Sequence, residues 1–397
     1  MVEMVKGLAQ RGHQIDEFCP TTADRRFLPV DPFVRRTVRL PFQPRGVWKQ
    51  RVPLLTPYLT AARLLADLAA LSQVNRQVAV AIDAGNYDAI FVHDCQLSLN
   101  PDLLRLAQTP AVFYCHHGIV PRNENAGAAV PPRARRQWLK SAYYALPVNV
   151  YPWWRNRNAR RNIRQASAVL TNSHFAAAQA AAAYGIECAV CYLGVNTDCF
   201  RPLSLPAGNY LLSVGAVHYY KGYRFLVRAL ARLPAANRPR LIIAANSADA
   251  DELNAVTKLA AELGVALSVR RVTADQELAI LYNQALAFVY APHLEPWGLA
   301  AVEAMACGTP VVAVGEGGVL ESVVDGETGV LTPRDEDAYA AALHKLLNRR
   351  ECRQQLSQQA AQHARARFPW SRTVDCIERF LATQTFCPHE EQLRLPL

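Results

Sequence analysis

The stretch EPWGLAAVEAMACGTPVV, from Glu295 to Val312, decides the reading of this chain. Ala287–Tyr290 ahead of it and Val311–Val314 at its end are short apolar runs. The segment therefore reads as strand, polar loop, helix, strand, the repeating unit of a parallel sheet. The helix is expected to begin near Gly298, which puts Glu295 just before its N-terminus and Glu303 a turn or more inside it. The plain reading makes Glu295 a helix-entry acid and Glu303 a solvated face residue. Glu303 is, however, the only charge between Pro296 and Val314, so the plain reading fits it less well than it fits Glu295. A helix N-terminus presents unpaired N–H groups and a positive dipole end, a natural seat for phosphate. Carboxylates on either side of a bound diphosphate can accept hydrogen bonds from sugar hydroxyls.

The same alternation extends in both directions. Tyr210–Val214, Leu241–Ala245 and Ala266–Val269 read as further strands of the second half, and Ala89–Val92, Ala111–Cys115, Ala168–Thr171 and Ala189–Leu193 as strands of the first. A turn-rich segment, Arg201 to Gly208, separates the two series. The final helix, Trp370–Thr383, places Trp370, Val374, Ile377 and Leu381 on one face. The fold class is α/β: two doubly wound domains, 1–202 and 208–369, facing each other across a cleft, with 370–397 packing back on the first. Ligand is expected at the carboxyl ends of the strands.

Two more glycine-bearing turns lie at such strand ends. After Tyr210–Val214 come Gly215, Ala216, His218, Lys221 and Gly222, where backbone can approach a ligand and a lysine can neutralise phosphate. After Val314 come Gly315, Gly317 and Gly318, with no G-x-G-x-x-G dinucleotide fingerprint.

The chain has 397 residues, 51% hydrophobic and 19% charged, ample for two or three globular cores, which excludes a disordered or fibrous protein. No stretch of about 18 uninterrupted apolar residues is present, and the first residues lack the apolar core of a signal peptide. A cytoplasmic protein, attached at most to the inner membrane surface, is expected. The ten cysteines are scattered, and Cys188 and Cys191, the only close pair, read as core residues of a strand over Glu187–Leu193. The net charge is +10. Nine basic residues, Arg133 to Arg164, fall in a window from Asn125 to Ile186 that holds no acid, beside Trp138, Tyr143, Tyr144, Tyr151, Trp153 and Trp154. That mixture suits an anionic membrane surface, with phosphates on the charges and indoles at headgroup level. It equally fits a solvated helix with a half-buried aromatic face. Single-stranded nucleic acid is a third partner that no recognition motif supports, and none is expected.

The paired glutamates, with Cys307-Gly308-Thr309-Pro310-Val311-Val312 and Asp325-Gly326-Glu327-Thr328-Gly329, resemble the retaining glycosyltransferases of family 4, which have the two-domain GT-B fold. Asn172-Ser173, Gly194-Val195-Asn196 and Phe200-Arg201-Pro202 extend the likeness to the interdomain stretch. The resemblance implies transfer of a hexose from a nucleotide-diphosphate sugar to a glycan or lipid-linked glycan, as in polysaccharide biosynthesis. The first domain would be the acceptor side. Glu303 would hold the ribose, Glu295 the sugar hydroxyls, and backbone N–H groups near Gly298 and Leu299 the sugar or diphosphate. Lys221, beside Gly215, would offset the charge of the departing diphosphate, and His116, with His117 as the adjacent alternative, would lie near the sugar. No metal cofactor is implied. Asp249-Ala-Asp251 is formally a D-x-D, but it precedes a helical run where aspartates favour the positive helix end.

Two departures from the family pattern stand out. Ala216 occupies a position where the family commonly has arginine, leaving more of the phosphate charge to Lys221. Met1 to His13 resembles the family's first helix without the strand and glycine-rich loop that precede it, so the natural start is expected roughly 15–25 residues earlier. The strand before the first helix normally lies mid-sheet, and without it little transfer is expected of this chain, although its second domain could still bind nucleotide. A truncated, non-catalytic nucleotide-sugar-binding relative is therefore the alternative to an active transferase.

Overall fold

The computed structural model describes residues 1–23, 29–46, 55–116 and 136–383, with only the backbone of the helix over 136–148. His117, Arg133, Arg135 and residues 384–397 lie outside the described residues. The chain forms two compact units, one of 1–171, 177–191 and 374–397, the other of 172–176 and 192–373. The final helix, Trp370–Thr383, begins in the second unit and ends in the first.

The first unit contains β1 (Asp16–Pro20), β2 (Arg36–Leu40), β3 (Ile90–His93), β4 (Ala111–Cys115), β5 (Ala168–Thr171) and β6 (Ala189–Val190). β3 to β6 make a parallel sheet in chain order, while β1 and β2 pair only with each other. β1 and β2 have no legible apolar run because they carry DEFCP and RTVRL. Their charges are gathered on the buried Asp16 carboxylate, which accepts from Arg35, Arg36 and the Tyr87 hydroxyl. These partners hold Asp16 far below the ordinary carboxylate range, Arg35 contributing most. β6 is shorter than the strand expected over Glu187–Leu193, because only Ala189 and Val190 pair with β5.

The second unit is built on a six-stranded parallel sheet ordered β12-β11-β10-β7-β8-β9. Its strands are β7 (Tyr210–Val214), β8 (Arg240–Ala245), β9 (Leu267–Arg271), β10 (Ala287–Tyr290), β11 (Val311–Val314) and β12 (Gly329–Thr332). β12, a glycine-led edge strand, is the one the sequence reading passes over. Alternate residues feed cores on opposite faces: Leu212, Phe288, Val311 and Ala313 on one, Leu211, Ala287, Val289 and Val312 on the other. Burial on both faces is why these strands read as continuous apolar runs. The order reverses between β7 and β10, so the loops leaving their carboxyl ends diverge and leave a crevice.

Candidate functional site

The loops that leave the sheet at that reversal, after β7 and after β10, carry Gly215, Lys221, Glu295 and Gly298. β7 ends into Gly215, whose φ of 143° and contacts with Lys221 and Tyr223 leave no comfortable room for a side chain. The Tyr223 hydroxyl closes this turn by donating to the Gly215 carbonyl at 2.8 Å. Lys221 ends a short 3-10 turn, and Gly222, with φ of 72°, starts the next helix, Tyr223–Ala231. A Cβ on Gly222 would collide with the Ala291 carbonyl oxygen, so the loop after β7 and the loop after β10 touch through bare backbone.

β10 ends at Tyr290, and the loop beyond it carries Glu295 to the helix Leu299–Ala306. Lys221 Nζ donates to Glu295 Oε1 at 2.7 Å and the Tyr290 hydroxyl to Glu295 Oε2 at 2.6 Å. The glycines after β11 grip the backbone of the same loop. The Gly318 N–H donates to the Glu295 carbonyl at 2.9 Å, and a Cβ on Gly317 or Gly318 would strike the carbonyls of Glu295 and Pro296. Gly298 caps the helix with φ of 86°, and no side chain caps that end. The N-terminus beside Leu299 thus has the unoccupied N–H character that suits an anion.

Glu303 lies inside this helix, half-buried, with its carboxylate crowded by protein. The Tyr282 hydroxyl lies 3.0 Å from Glu303 Oε2 and 3.1 Å from the Ala300 carbonyl. Loss of water outweighs the help of that hydroxyl, and Asp275 adds repulsion, so the Glu303 carboxyl is pushed up to about 8.

Arg334, which sequence reading gave no reason to notice, lies beneath the loop after β10. It donates to both oxygens of Glu316 and to the carbonyls of Ala291 and Pro292. Its guanidinium is spent on holding that loop and does not replace the arginine absent at Ala216. Asp249 accepts from the Glu252 N–H at 2.9 Å as the N-cap of the helix Ala250–Glu262. Among the described residues no cluster of three or more His, Cys, Asp or Glu could hold a metal ion.

His116 belongs to the first unit, just beyond β4, with Nε2 2.9 Å from Nδ1 of His93 at the end of β3. Burial, and secondarily His116, holds His93 well below its ordinary value. Gly215, Lys221, Glu295, Gly298 and Leu299 lie beyond the carboxyl ends of β7 and β10 in the second unit, with Glu303 further along the helix that Leu299 begins.

The pattern of the family described as Glycosyltransferase Family 4 matches residues 1–199, and that of Glycosyl transferases group 1 matches 200–363. The D-inositol 3-phosphate glycosyltransferase of Geodermatophilus obscurus is 31% identical over 95% of this chain and 82% of its own length. The chain belongs to glycosyltransferase family 4. The enzyme of the same name from Nocardiopsis dassonvillei is 36% identical over 60% of each chain, and that from Frankia alni 38% over 47% of this chain and 50% of its own. The chain thus spans about half to three fifths of these two relatives. Among solved structures, a sucrose-phosphate synthase from Thermosynechococcus elongatus superposes with TM-score 0.72 at 21% identity, over 96% of this chain and 91% of its own. Anabaena Alr3699/HepE in complex with UDP and glucose superposes with TM-score 0.69 at 20% identity, over 96% and 94%. These likenesses are of fold, and the fold is GT-B, with two Rossmann-like units.

The raised Glu303 carboxyl has a consequence for stability. Its folded value lies above its unfolded value of 4.5, so the stability it contributes is full below 4.5 and is lost as pH rises through about 8. Glu303→Gln, neutral throughout, is expected to lose less stability than the wild type between about pH 5 and about pH 8.5, on the order of 1–3 kcal/mol less. Urea denaturation at a series of pH values measures the difference, and parallel curves would contradict a buried, neutral Glu303.

Proposed function

We propose that this chain transfers a hexose from a nucleotide-diphosphate sugar to a glycan or lipid-linked glycan acceptor, with retention of anomeric configuration. The observation that carries this reading is the Lys221–Glu295 ion pair at the reversal of strand order, ahead of an uncapped helix N-terminus whose helix carries Glu303. One lysine, one helix dipole end and two carboxylates match a diphosphate flanked by a ribose and a sugar.

In the proposed reaction the bond from the anomeric carbon to the leaving phosphate oxygen breaks, and the acceptor oxygen bonds on the same face. The acceptor proton passes to the leaving diphosphate. Lys221 and the N–H groups near Gly298 and Leu299 offset the developing negative charge. Glu295 accepts from the sugar hydroxyls and Glu303 from the ribose, and His116 is the proposed histidine near the sugar. Inositol 3-phosphate, the compound in the relatives' name, belongs in the acceptor panel beside glycans and lipid-linked glycans. A non-catalytic nucleotide-sugar binder is the alternative, distinguished by whether sugar leaves the nucleotide at all.

Glu303→Ala is expected to weaken nucleotide-sugar binding by about 1.5–3 kcal/mol while the fold persists. Calorimetry on the folded variant measures this, and unchanged affinity would remove Glu303 from the site. Transfer is expected to survive EDTA, since the positive charge comes from protein groups. Complete loss restored by manganese would overturn the metal-free reading and bring Asp249 and Asp251 back as ligands.

We also place this chain in the cytoplasm, touching the inner face of an anionic membrane through the basic segment 133–164. No helix among the described residues is long and apolar enough to cross a membrane. The helix Arg136–Ile163 supports the surface reading. Trp153 and Trp154 are 58% and 46% exposed side by side, and the Arg157 guanidinium lies over the Trp153 ring. Sedimentation should show binding to anionic vesicles, absent from neutral ones and weakened by salt, with each basic residue contributing about 1 kcal/mol near the surface. Equal binding to both lipids sinks the proposal, and tight salt-sensitive RNA binding favours nucleic acid instead.

A further inference from the structure

We propose that Tyr290 is a positioning residue that selects the donor sugar by fixing the carboxylate of Glu295. The inference rests on the proposed donor reading of Glu295 and adds a residue to it. Tyr290 is the last residue of β10, its ring is buried in the core below the crevice, and its hydroxyl emerges 2.6 Å from Glu295 Oε2. Glu295 is fixed at three points. Its backbone is gripped by Gly317 and Gly318, one carboxylate oxygen is held by Lys221, and the other by Tyr290.

The three holds differ in what they leave free. The lysine is a flexible point charge with three rotatable donors, and a diphosphate competes for it directly. The tyrosine hydroxyl sits on a rigid ring with two rotatable bonds, and packing fixes that ring. Gly298 meets it from above, where a Cβ would lie 2.8 Å from the hydroxyl oxygen. Tyr290 therefore keeps the carboxylate plane fixed when phosphate draws Lys221 away. Each carboxylate oxygen has lone-pair capacity beyond the one bond it accepts, and the fixed plane sets where that capacity points. A sugar hydroxyl of one configuration meets it, and its epimer does not. The burial that keeps the ring in place also raises the phenol well above its ordinary value, with the Glu295 charge adding to it, so the hydroxyl remains a donor throughout the working pH range.

A simple packing role predicts a different outcome, because Tyr290→Phe keeps the ring and removes one oxygen. The test first screens UDP, GDP and ADP, with UDP-glucose, GDP-glucose, GDP-mannose and ADP-glucose, by thermal shift on the full chain. The nucleotide and nucleotide sugar bound best are then titrated against wild type, Y290F, E295Q and the double variant. Y290F should leave nucleoside diphosphate affinity within about twofold and cut the sugar-to-nucleotide affinity ratio roughly 3–10-fold. E295Q should cut the ratio at least as far, and the double variant no further than E295Q. Discrimination between UDP-glucose and UDP-galactose, or the corresponding epimers on the bound base, should shrink in Y290F. If Y290F does not fold, 3-fluorotyrosine at 290, which keeps ring and hydroxyl but donates more strongly, should shift the same ratio.

An unchanged ratio in Y290F beside a reduced one in E295Q would overturn the role of Tyr290 while leaving Glu295 in the site. Additive losses in the double variant would also overturn it, since Tyr290 would then act apart from Glu295. An unchanged ratio in E295Q, or no binding by any of the seven compounds, would overturn the donor reading itself.

Discussion

The second unit depends on the pairing of β7 with β10 at the middle of its sheet. Parallel strands need long crossovers, and a sheet grown outward in both directions from one strand sends its loops opposite ways at that strand. Tyr210–Val214 is that strand, with β8 on one side and β10 on the other. The loops on either side of it are bridged by Gly222 against the Ala291 carbonyl and by the ion pair of Lys221 with Glu295. Lys221 and Glu295 are 74 residues apart in sequence, and only the strand order makes them neighbours.

Glycine placement around the crevice follows from the closeness of its loops. Gly222, Gly317 and Gly318 each stand where a Cβ would meet a carbonyl of the loop Ala291–Gly298. The helix Leu299–Ala306 runs from this loop through the core, carrying Glu303 where water is scarce. A carboxyl there is costly when ionised and has only the Tyr282 hydroxyl to favour its charged form. In the proposed donor reading, ligand hydroxyls arriving at Glu303 would replace the missing water.

The long apolar strands were legible without the structure. β4, β5, β7, β10 and β11 fall where the sequence reading puts them, because burial on both faces leaves little room for polar residues. β1, β2 and β12 were not. The first two hide their character under charges that find partners only once the strands pair, and β12 begins on a glycine at a sheet edge. The paired glutamates and Lys221 were visible because a charge in an apolar helix and a lysine after a strand-end glycine are local anomalies. Tyr290, Tyr282 and Arg334 were invisible, because an aromatic at the end of a strand, a tyrosine in a helix and an arginine in a turn are all ordinary in sequence.

The sequence by itself determined the alternation of strands and helices and which residues would sit at strand ends. Apolar periodicity and glycine position are local properties, and the backbone obeys them locally. Tertiary structure alone decided the order of strands, and with it which loops meet. It also decided that Glu303 is partly desolvated, that Lys221 answers Glu295, and that the hydroxyl of Tyr290 faces a carboxylate five residues further on. Desolvation and hydrogen-bond geometry are properties of neighbours in space, and no residue carries them along the chain.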